Sequence, residues 1–135
     1  MAESQAHIDL TIILHQYINQ ILKIDAGYIL IDSPESCIGN KPPIIEDFRP
    51  DIYAKTKDIL VIGDAKTYGD WDKKHSRNQY LAYITECINF KYQSILLLAV
   101  PWRLERSVRS RLKHMFPFEN HPNIELIVIS ELWGM

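Results

Sequence analysis

The sequence of 135 residues has few cysteines, no long hydrophobic run and no excess of positive charge. Two cysteines, Cys37 and Cys87, argue against a disulfide scaffold and against a zinc or iron–sulfur site with four thiolates. No apolar run reaches the roughly 18 residues that a membrane-spanning helix needs. The polar start "MAESQAHIDL" lacks the basic region of a signal peptide. These absences predict a cytoplasmic protein with no membrane partner.

The charge balance also limits the possible functions. The net charge is −2, whereas proteins that bind nucleic acid through their overall charge are usually basic. Any binding to nucleic acid must therefore depend on a local site. With 47% hydrophobic and 24% charged residues, the composition is that of a globular protein. The length predicts one domain over residues 1–135.

Hydrophobic periodicity predicts helices and strands in the order α-β-β-β-α-β-α-β. This order predicts an α/β fold in which helices flank a mixed β-sheet. The second and third strands form a hairpin around the polar turn "KTKD". The predicted bounds are a helix over 4–23, strands over 26–32, 44–54 and 59–66, a helix over 72–91, a strand over 94–100, a helix over 102–116 and a strand over 124–130.

The third strand, in "ILVIGDAKT", is apolar enough to be buried and yet ends in two opposite charges. Because side chains alternate along a strand, Asp64 and Lys66 share one face. The short hairpin turn places Asp51 opposite residues near Asp64. Two close carboxylates repel unless a proton or a cation intervenes, and Mg²⁺ prefers such oxygen ligands. The alternative is an ordinary ion pair between Asp64 and Lys66, with Asp51 capping a turn.

The stretch "RPDIYAKTKDILVIGDAK" resembles the signature of the PD-(D/E)XK nuclease superfamily. Pro50 and Asp51 match its PD element, and the run from Asp64 to Lys66 matches its (D/E)XK element. The predicted order of helices and strands also resembles the core of that superfamily, so the resemblance covers most of the chain. It implies a restriction-endonuclease-like fold of three layers.

The resemblance also implies a chemistry, the Mg²⁺-dependent hydrolysis of phosphodiester bonds in DNA, with Mn²⁺ as an alternative ion. Asp51 and Asp64 would bind the metal ion, together with the carbonyl oxygen of Ala65. Lys66 would position or activate the attacking water and offset negative charge in the transition state.

The second predicted helix carries a polar row of His75, Gln79 and Tyr83, each four residues apart. We expect this row to lie away from an apolar stripe formed by Leu81, Ile84 and Ile88. The row resembles the Gln-x-x-x-Tyr element of the exonuclease and RecB-type branch, which implies that Gln79 and Tyr83 help to hold the scissile strand. The alternative is a solvated helix face with a half-buried tyrosine.

Many members of the superfamily carry an acidic residue, or in some a histidine, in the first helix. Glu3 and His7 extend the apolar stripe of the first predicted helix toward its beginning. We therefore predict Glu3 as a further catalytic acid, with fraying of the chain start as the alternative. Glu46 is a rival acid, although strand alternation from Asp51 points it to the other face of the sheet.

Basic residues outside the hairpin are candidates for contacts with DNA phosphates. An ordinary solvated helix surface is the alternative for each of them. The three tryptophans, in contrast, are predicted to pack in the fold rather than to stack on bases. The candidate DNA-binding residues are His75 and Arg77 with Lys73 or Lys74 nearby, and Arg106, Arg109 and Lys113 in the third helix.

The sequence thus favours a small Mg²⁺-dependent DNA nuclease. It leaves open an inactive module of the same fold that binds nucleic acid or protein. It also leaves open a homo-oligomer, or a nuclease subunit of a larger recombination, restriction or mobile-element complex. Among nucleases, a Holliday-junction resolvase is one candidate, while the Gln-x-x-x-Tyr element favours exonuclease or RecB-like processing.

Overall fold

The computed structural model describes residues 4–32 and 40–133, and a mixed sheet lies at its centre. Its strands are ordered in space as they are in the sequence. The first three are antiparallel neighbours, and the last three are parallel neighbours. The strands are β1 (Ile29–Ile31), β2 (Ile52–Lys55), β3 (Ile59–Ala65), β4 (Gln93–Val100) and β5 (Ile124–Ser130).

Helices cover both faces of the sheet, so the protein is an α/β structure with a layer of helix on each side. Parallel neighbours need crossover connections, and α2 and α3 provide them between β3, β4 and β5. No helix in the described ranges is both long and apolar enough to cross a membrane. The α-helices are α1 (Gln5–Gln20), α2 (Lys74–Asn89) and α3 (Glu105–Met115), with short 3-10 helices at Ala26–Tyr28, Trp102–Leu104 and Phe118–Asn120.

The first helix forms where the periodicity predicts one. The hydroxyl of Ser4 caps it by accepting a hydrogen bond from the backbone N–H of His7 at 3.1 Å. Leu10, Leu14 and Ile18 recur at helical spacing and are buried against one face of the sheet. The helix therefore places its first turn, with His7, near the C-terminal end of β3.

The two central strands are buried on both faces. Every residue from Leu60 to Ala65 is buried, as is every residue from Ser94 to Val100. Alternation divides β3 between the two layers, because Leu60 and Ile62 belong to the apolar cluster under α2 and α3. Val61 and Ala65 belong to the cluster under α1. The predicted burial of both strands is confirmed.

The prediction of a strand over 44–54 is wrong except for its last three residues. β2 begins only at Ile52, because Glu46 and Asp47 adopt positive φ angles of 50° and 77° that a strand does not allow. Ile45 and Phe48 flank this tight turn and exchange two backbone hydrogen bonds, of 2.6 and 2.9 Å. Glu46 therefore lies exposed in a turn, and the chain that follows leads directly to Asp51.

Gly63 is the position in β3 where the sheet has no room for a side chain. A Cβ atom there would lie 2.7 Å from Cγ2 of Ile52 and 3.0 Å from the carbonyl oxygen of Leu97. We expect Gly63→Ala to lower the free energy of unfolding by about 1–3 kcal/mol, because neither neighbour can move freely. Urea denaturation checks this value. The matched control is Gly69→Ala, where no atom lies within 4 Å; equal stability of the two variants would contradict the expectation.

Candidate active site

The two acidic residues of the hairpin lie at the adjacent ends of β2 and β3. The register pairs Ile52 with Gly63, so that Asp51 lies opposite Asp64. The backbone N–H of Asp51 donates to Oδ1 of Asp64 at 2.9 Å, and the N–H of Ala65 donates to Oδ2 of Asp51 at 2.8 Å. Each carboxylate is thus bound to the other strand, and both are held at the same point, as the hairpin prediction required.

A cavity of about 240 Å³ opens at this end of the sheet. Four parts of the chain surround the two carboxylates: the first turn of α1, the segment before β2, the 66–73 loop that follows β3, and the first two turns of α2. The lining residues are His7, Arg49, Asp51, Asp64, Ala65, Lys66, Asp70, Lys73, His75, Ser76 and Gln79.

Asp64 is the most deeply placed carboxylate of the cavity, with only 2% of its surface exposed. Burial raises the pKa of Asp64 to about 7, and the negative charge of Asp51 contributes in the same direction. The ammonium group of Lys66 and the N–H of Asp51 act against this shift. In the absence of a further cation, a large fraction of Asp64 therefore stays protonated at neutral pH.

Lys66 is the cation beside this pair, and its surroundings fix it in place. It is 5% exposed, and its Nζ lies 3.4 Å from Oδ2 of Asp64. Nζ also donates a hydrogen bond to Oε1 of Gln79 and lies 5.8 Å from the ring centroid of Tyr80. The ion pair expected from an ordinary structural role is present, but it does not explain why Asp51 and Gln79 converge on the same cavity.

His7 joins the site from α1, where Glu3 was the predicted residue. Nε2 of His7 lies 3.1 Å from Oδ2 of Asp51. Glu3 lies outside the described residues. The sequence signal for His7 was its spacing, because it precedes Leu10 and Leu14 by three and seven residues and therefore shares their buried stripe.

The polar row of α2 divides between the cavity and the core. Gln79 lines the cavity, and His75 lies exposed at its mouth, where its ring packs edge-on against Phe48 with centroids 5.4 Å apart. Tyr83 is fully buried and does not line the cavity. Burial raises the pKa of Tyr83, and the nearby charge of Asp64 raises it further. Within the described part of the chain, its hydroxyl has no hydrogen-bond partner.

The predicted apolar stripe of α2 is wrong. Leu81 and Ile88 are 46% and 49% exposed, and only Ile84 of the three is buried. Tyr80 and Tyr83 occupy the core instead, because burying an aromatic ring on a flat apolar sheet removes more surface from water than burying leucine does. The buried residues of α2 are Ser76, Tyr80, Ala82, Tyr83, Ile84 and Cys87.

Apart from His75 and Lys73, the candidate DNA-binding residues are not at the cavity. Arg77 binds Asp72, with its Nη1 donating to the backbone oxygen at 2.7 Å. Arg106, Arg109 and Lys113 project from α3 into separate surface hollows. The cavity instead has Arg49 at its rim, a residue that the sequence analysis did not select although it immediately precedes the Pro50–Asp51 element. Lys73, also at the rim, was among the candidates.

The donors in the cavity suit a hard divalent cation. Mg²⁺ is usually held by one or two carboxylates, waters and substrate phosphates rather than by a complete protein cage. Asp51 and Asp64 supply such carboxylates, and a cation between them would favour the ionised form of Asp64 that burial disfavours. Over residues 4–32 and 40–133, no group of three or more His, Cys, Asp or Glu side chains is arranged to hold a metal ion.

Comparisons of the chain with protein-family models, curated proteins and solved structures found no match.

Proposed function

We propose that the protein is a Mg²⁺-dependent DNA nuclease that hydrolyses phosphodiester bonds in the cavity where β2 and β3 end. The observation that carries this proposal is the position of Asp64. It is a 2% exposed carboxylate, opposite Asp51, with an ammonium group 3.4 Å away. Burying one carboxylate beside another is costly. A site that binds a cation and a phosphate is a reason for the fold to keep this arrangement.

Each residue of the cavity has a role in this proposal. Asp51, Asp64 and the carbonyl oxygen of Ala65 would hold Mg²⁺, which supplies Lewis-acid stabilisation of a phosphate oxygen when bound. Lys66 directs its ammonium group into the cavity, where it orients the attacking water and offsets the charge of the phosphate. Gln79 holds Nζ of Lys66 through a hydrogen bond, so the ammonium group needs little reorganisation before it acts.

The charges at the rim of the cavity suit a phosphodiester substrate. Arg49, Lys73 and His75 lie at its rim, and all three are exposed. The acidic groups lie deeper, with Asp64 almost completely buried. A nucleic-acid backbone that approaches this surface therefore meets basic side chains first. The mixed sheet with helices on both faces supports the restriction-endonuclease-like fold that forms part of this proposal.

A second candidate function is a module of the same fold that binds DNA without cleaving it. The observation that favours it is the internal bonding of the carboxylates. Asp51 accepts the N–H of Ala65, and Asp64 accepts the N–H of Asp51, as they would in a purely structural hairpin end. The two candidates differ in whether the carboxylates bind a metal ion.

The test is an incubation of the purified protein with linear, circular, single-stranded and branched DNA. We expect cleavage in Mg²⁺ or Mn²⁺ and none in EDTA. Titration with Mg²⁺ in a calorimeter provides the second readout. Intact DNA together with an absence of Mg²⁺ binding would contradict the nuclease and favour the binding module.

A further inference from the structure

A second concave surface lies between α3 and the 66–73 loop. This groove has a volume of about 490 Å³, about twice that of the carboxylate cavity at about 240 Å³. We call it the α3 groove. It is lined by Trp71, Arg106, Ser107, Ser110, Arg111 and His114.

The α3 groove is basic in a chain whose net charge is −2. Within the described residues, the side chain of Arg106 makes no ion pair. A neighbouring hollow of about 370 Å³ shares Arg106 with the groove and adds Arg109 and Lys113. The positive surface therefore continues beyond the groove itself, which favours a polyanion over a single small anion.

Trp71 gives the groove a fixed aromatic wall. Part of its side chain packs against the core under α2, and the rest lines the groove. The hydroxyl of Tyr80 donates to the carbonyl oxygen of Trp71 at 2.7 Å, and the N–H of Trp71 donates to the carbonyl oxygen of Thr67 at 3.2 Å. The sequence predicted a packing role for this residue, and its position adds an aromatic surface of the kind on which bases stack.

Arg111 is held beside that surface. Its Nε lies 2.9 Å from Oδ1 of Asp72, and its Nη2 donates to Oδ2 of Asp72 at 3.0 Å. This ion pair and its hydrogen bond orient the guanidinium group while 42% of the side chain stays exposed. A guanidinium group already ordered by the protein loses little conformational entropy when it binds a phosphate.

We propose that the α3 groove binds a single strand of nucleic acid, with phosphates on Arg106 and Arg111 and a base stacked on Trp71. The bases of a duplex are stacked on each other inside the helix, so they do not offer a face to Trp71. The 66–73 loop also borders both sites, since Asp70 and Lys73 line the carboxylate cavity. This binding goes beyond the proposed cleavage and does not require it.

The test is fluorescence anisotropy of a labelled oligothymidylate, measured in EDTA so that no cleavage occurs. We expect about tenfold tighter binding than for a duplex of the same length, because only the single strand can stack on Trp71. Arg106→Ala should weaken binding about fivefold and lower the slope of log affinity against log salt by about 0.7, the loss of one phosphate contact. Trp71→Leu should weaken binding about tenfold.

The control is the double variant Lys57→Ala, Lys91→Ala, which removes two positive charges from exposed positions outside the groove. It should bind the oligothymidylate like the wild type. Trp71→Phe keeps an aromatic ring in the core but offers a smaller face for stacking, so it should bind more weakly than the wild type. This comparison tests the stacking role if Trp71→Leu does not fold. Equal affinity for duplex and single strand, or unchanged affinity of Arg106→Ala, would overturn the proposal.

The test of binding in the α3 groove can fail or succeed independently of the test of the proposed nuclease activity. Oligothymidylate binding that depends on Arg106 and Trp71, in a protein that cleaves no DNA, would support the groove and contradict the nuclease. Metal-dependent cleavage by a protein whose oligothymidylate affinity is unchanged in Arg106→Ala would contradict the groove alone.

Discussion

Asp64→Asn is expected to lower the rate of metal-dependent DNA cleavage by at least about a thousandfold. The substitution keeps the size of the side chain and removes the negative charge that would hold Mg²⁺ beside Asp51. The amide still offers one oxygen to the N–H of Asp51, which the carboxylate now accepts at 2.9 Å. The loss should therefore come from the chemistry of the cavity, while the hairpin end stays bonded. Initial rates on labelled DNA in Mg²⁺ measure it.

The matched control is Asp58→Asn. Asp58 belongs to the turn before β3 and is exposed, so the same chemical change occurs beside the same strand but at its opposite end. This variant should cleave at the wild-type rate. Lys66→Ala should be impaired like Asp64→Asn, because it removes the ammonium group that lies 3.4 Å from Asp64 and would orient the attacking water. Equal rates in all of these proteins would place the activity elsewhere or in a contaminant.

The second large effect concerns stability, because Asp64 should make the metal-free protein less stable as the pH rises. The ordinary pKa of an aspartate, 3.8, applies to Asp64 in the unfolded chain, and its pKa in the folded protein is about 7. Between these values the folded protein retains a proton that the unfolded chain has released, so the free energy of unfolding falls as the pH rises. One pKa unit corresponds to about 1.4 kcal/mol. The shift from 3.8 to about 7 therefore sets an upper limit of about 4 kcal/mol.

Urea denaturation in EDTA at a series of pH values checks this expectation, with Asp64→Asn as the reference. The variant lacks the titrating group, so the stability difference between the two proteins isolates the contribution of Asp64 from all other ionisations. Saturating Mg²⁺ should reduce the loss in the wild type, since a bound cation favours the ionised carboxylate. Parallel stability curves for the wild type and the variant would show that Asp64 titrates alike in the folded and unfolded chains.

Local patterns in the sequence were sufficient to predict most of the fold. The last strand was predicted with the bounds that the structure gives, Ile124–Ser130, because an apolar run rich in β-branched residues is bounded there by turn residues. Alternation along β3 was sufficient to place Asp64 on the face under α2. The hairpin register followed from the short turn at 55–58, which brought Asp51 opposite Asp64.

The parts that the sequence did not predict depend on tertiary packing. The two positive φ angles at Glu46 and Asp47 shorten β2, although neither residue is glycine and no local pattern requires the turn. Tyr83 belongs to the core, because packing on the sheet decided which face of α2 is buried. Similarly, the charge pattern of α3 indicated a basic surface, but only the fold separates Arg106 from the carboxylate cavity.

Hydrogen bonds join Asp51 to Asp64 and Ala65, so the site is intact only while the end of the hairpin is folded. Both carboxylates act as the final links between β2 and β3, beyond the last residues that pair through backbone alone. If this end of the hairpin frays, Asp51 and Asp64 separate at the same time. A partly open hairpin therefore cannot retain the acidic pair. The site and the strand ends thus form one cooperative unit of local unfolding.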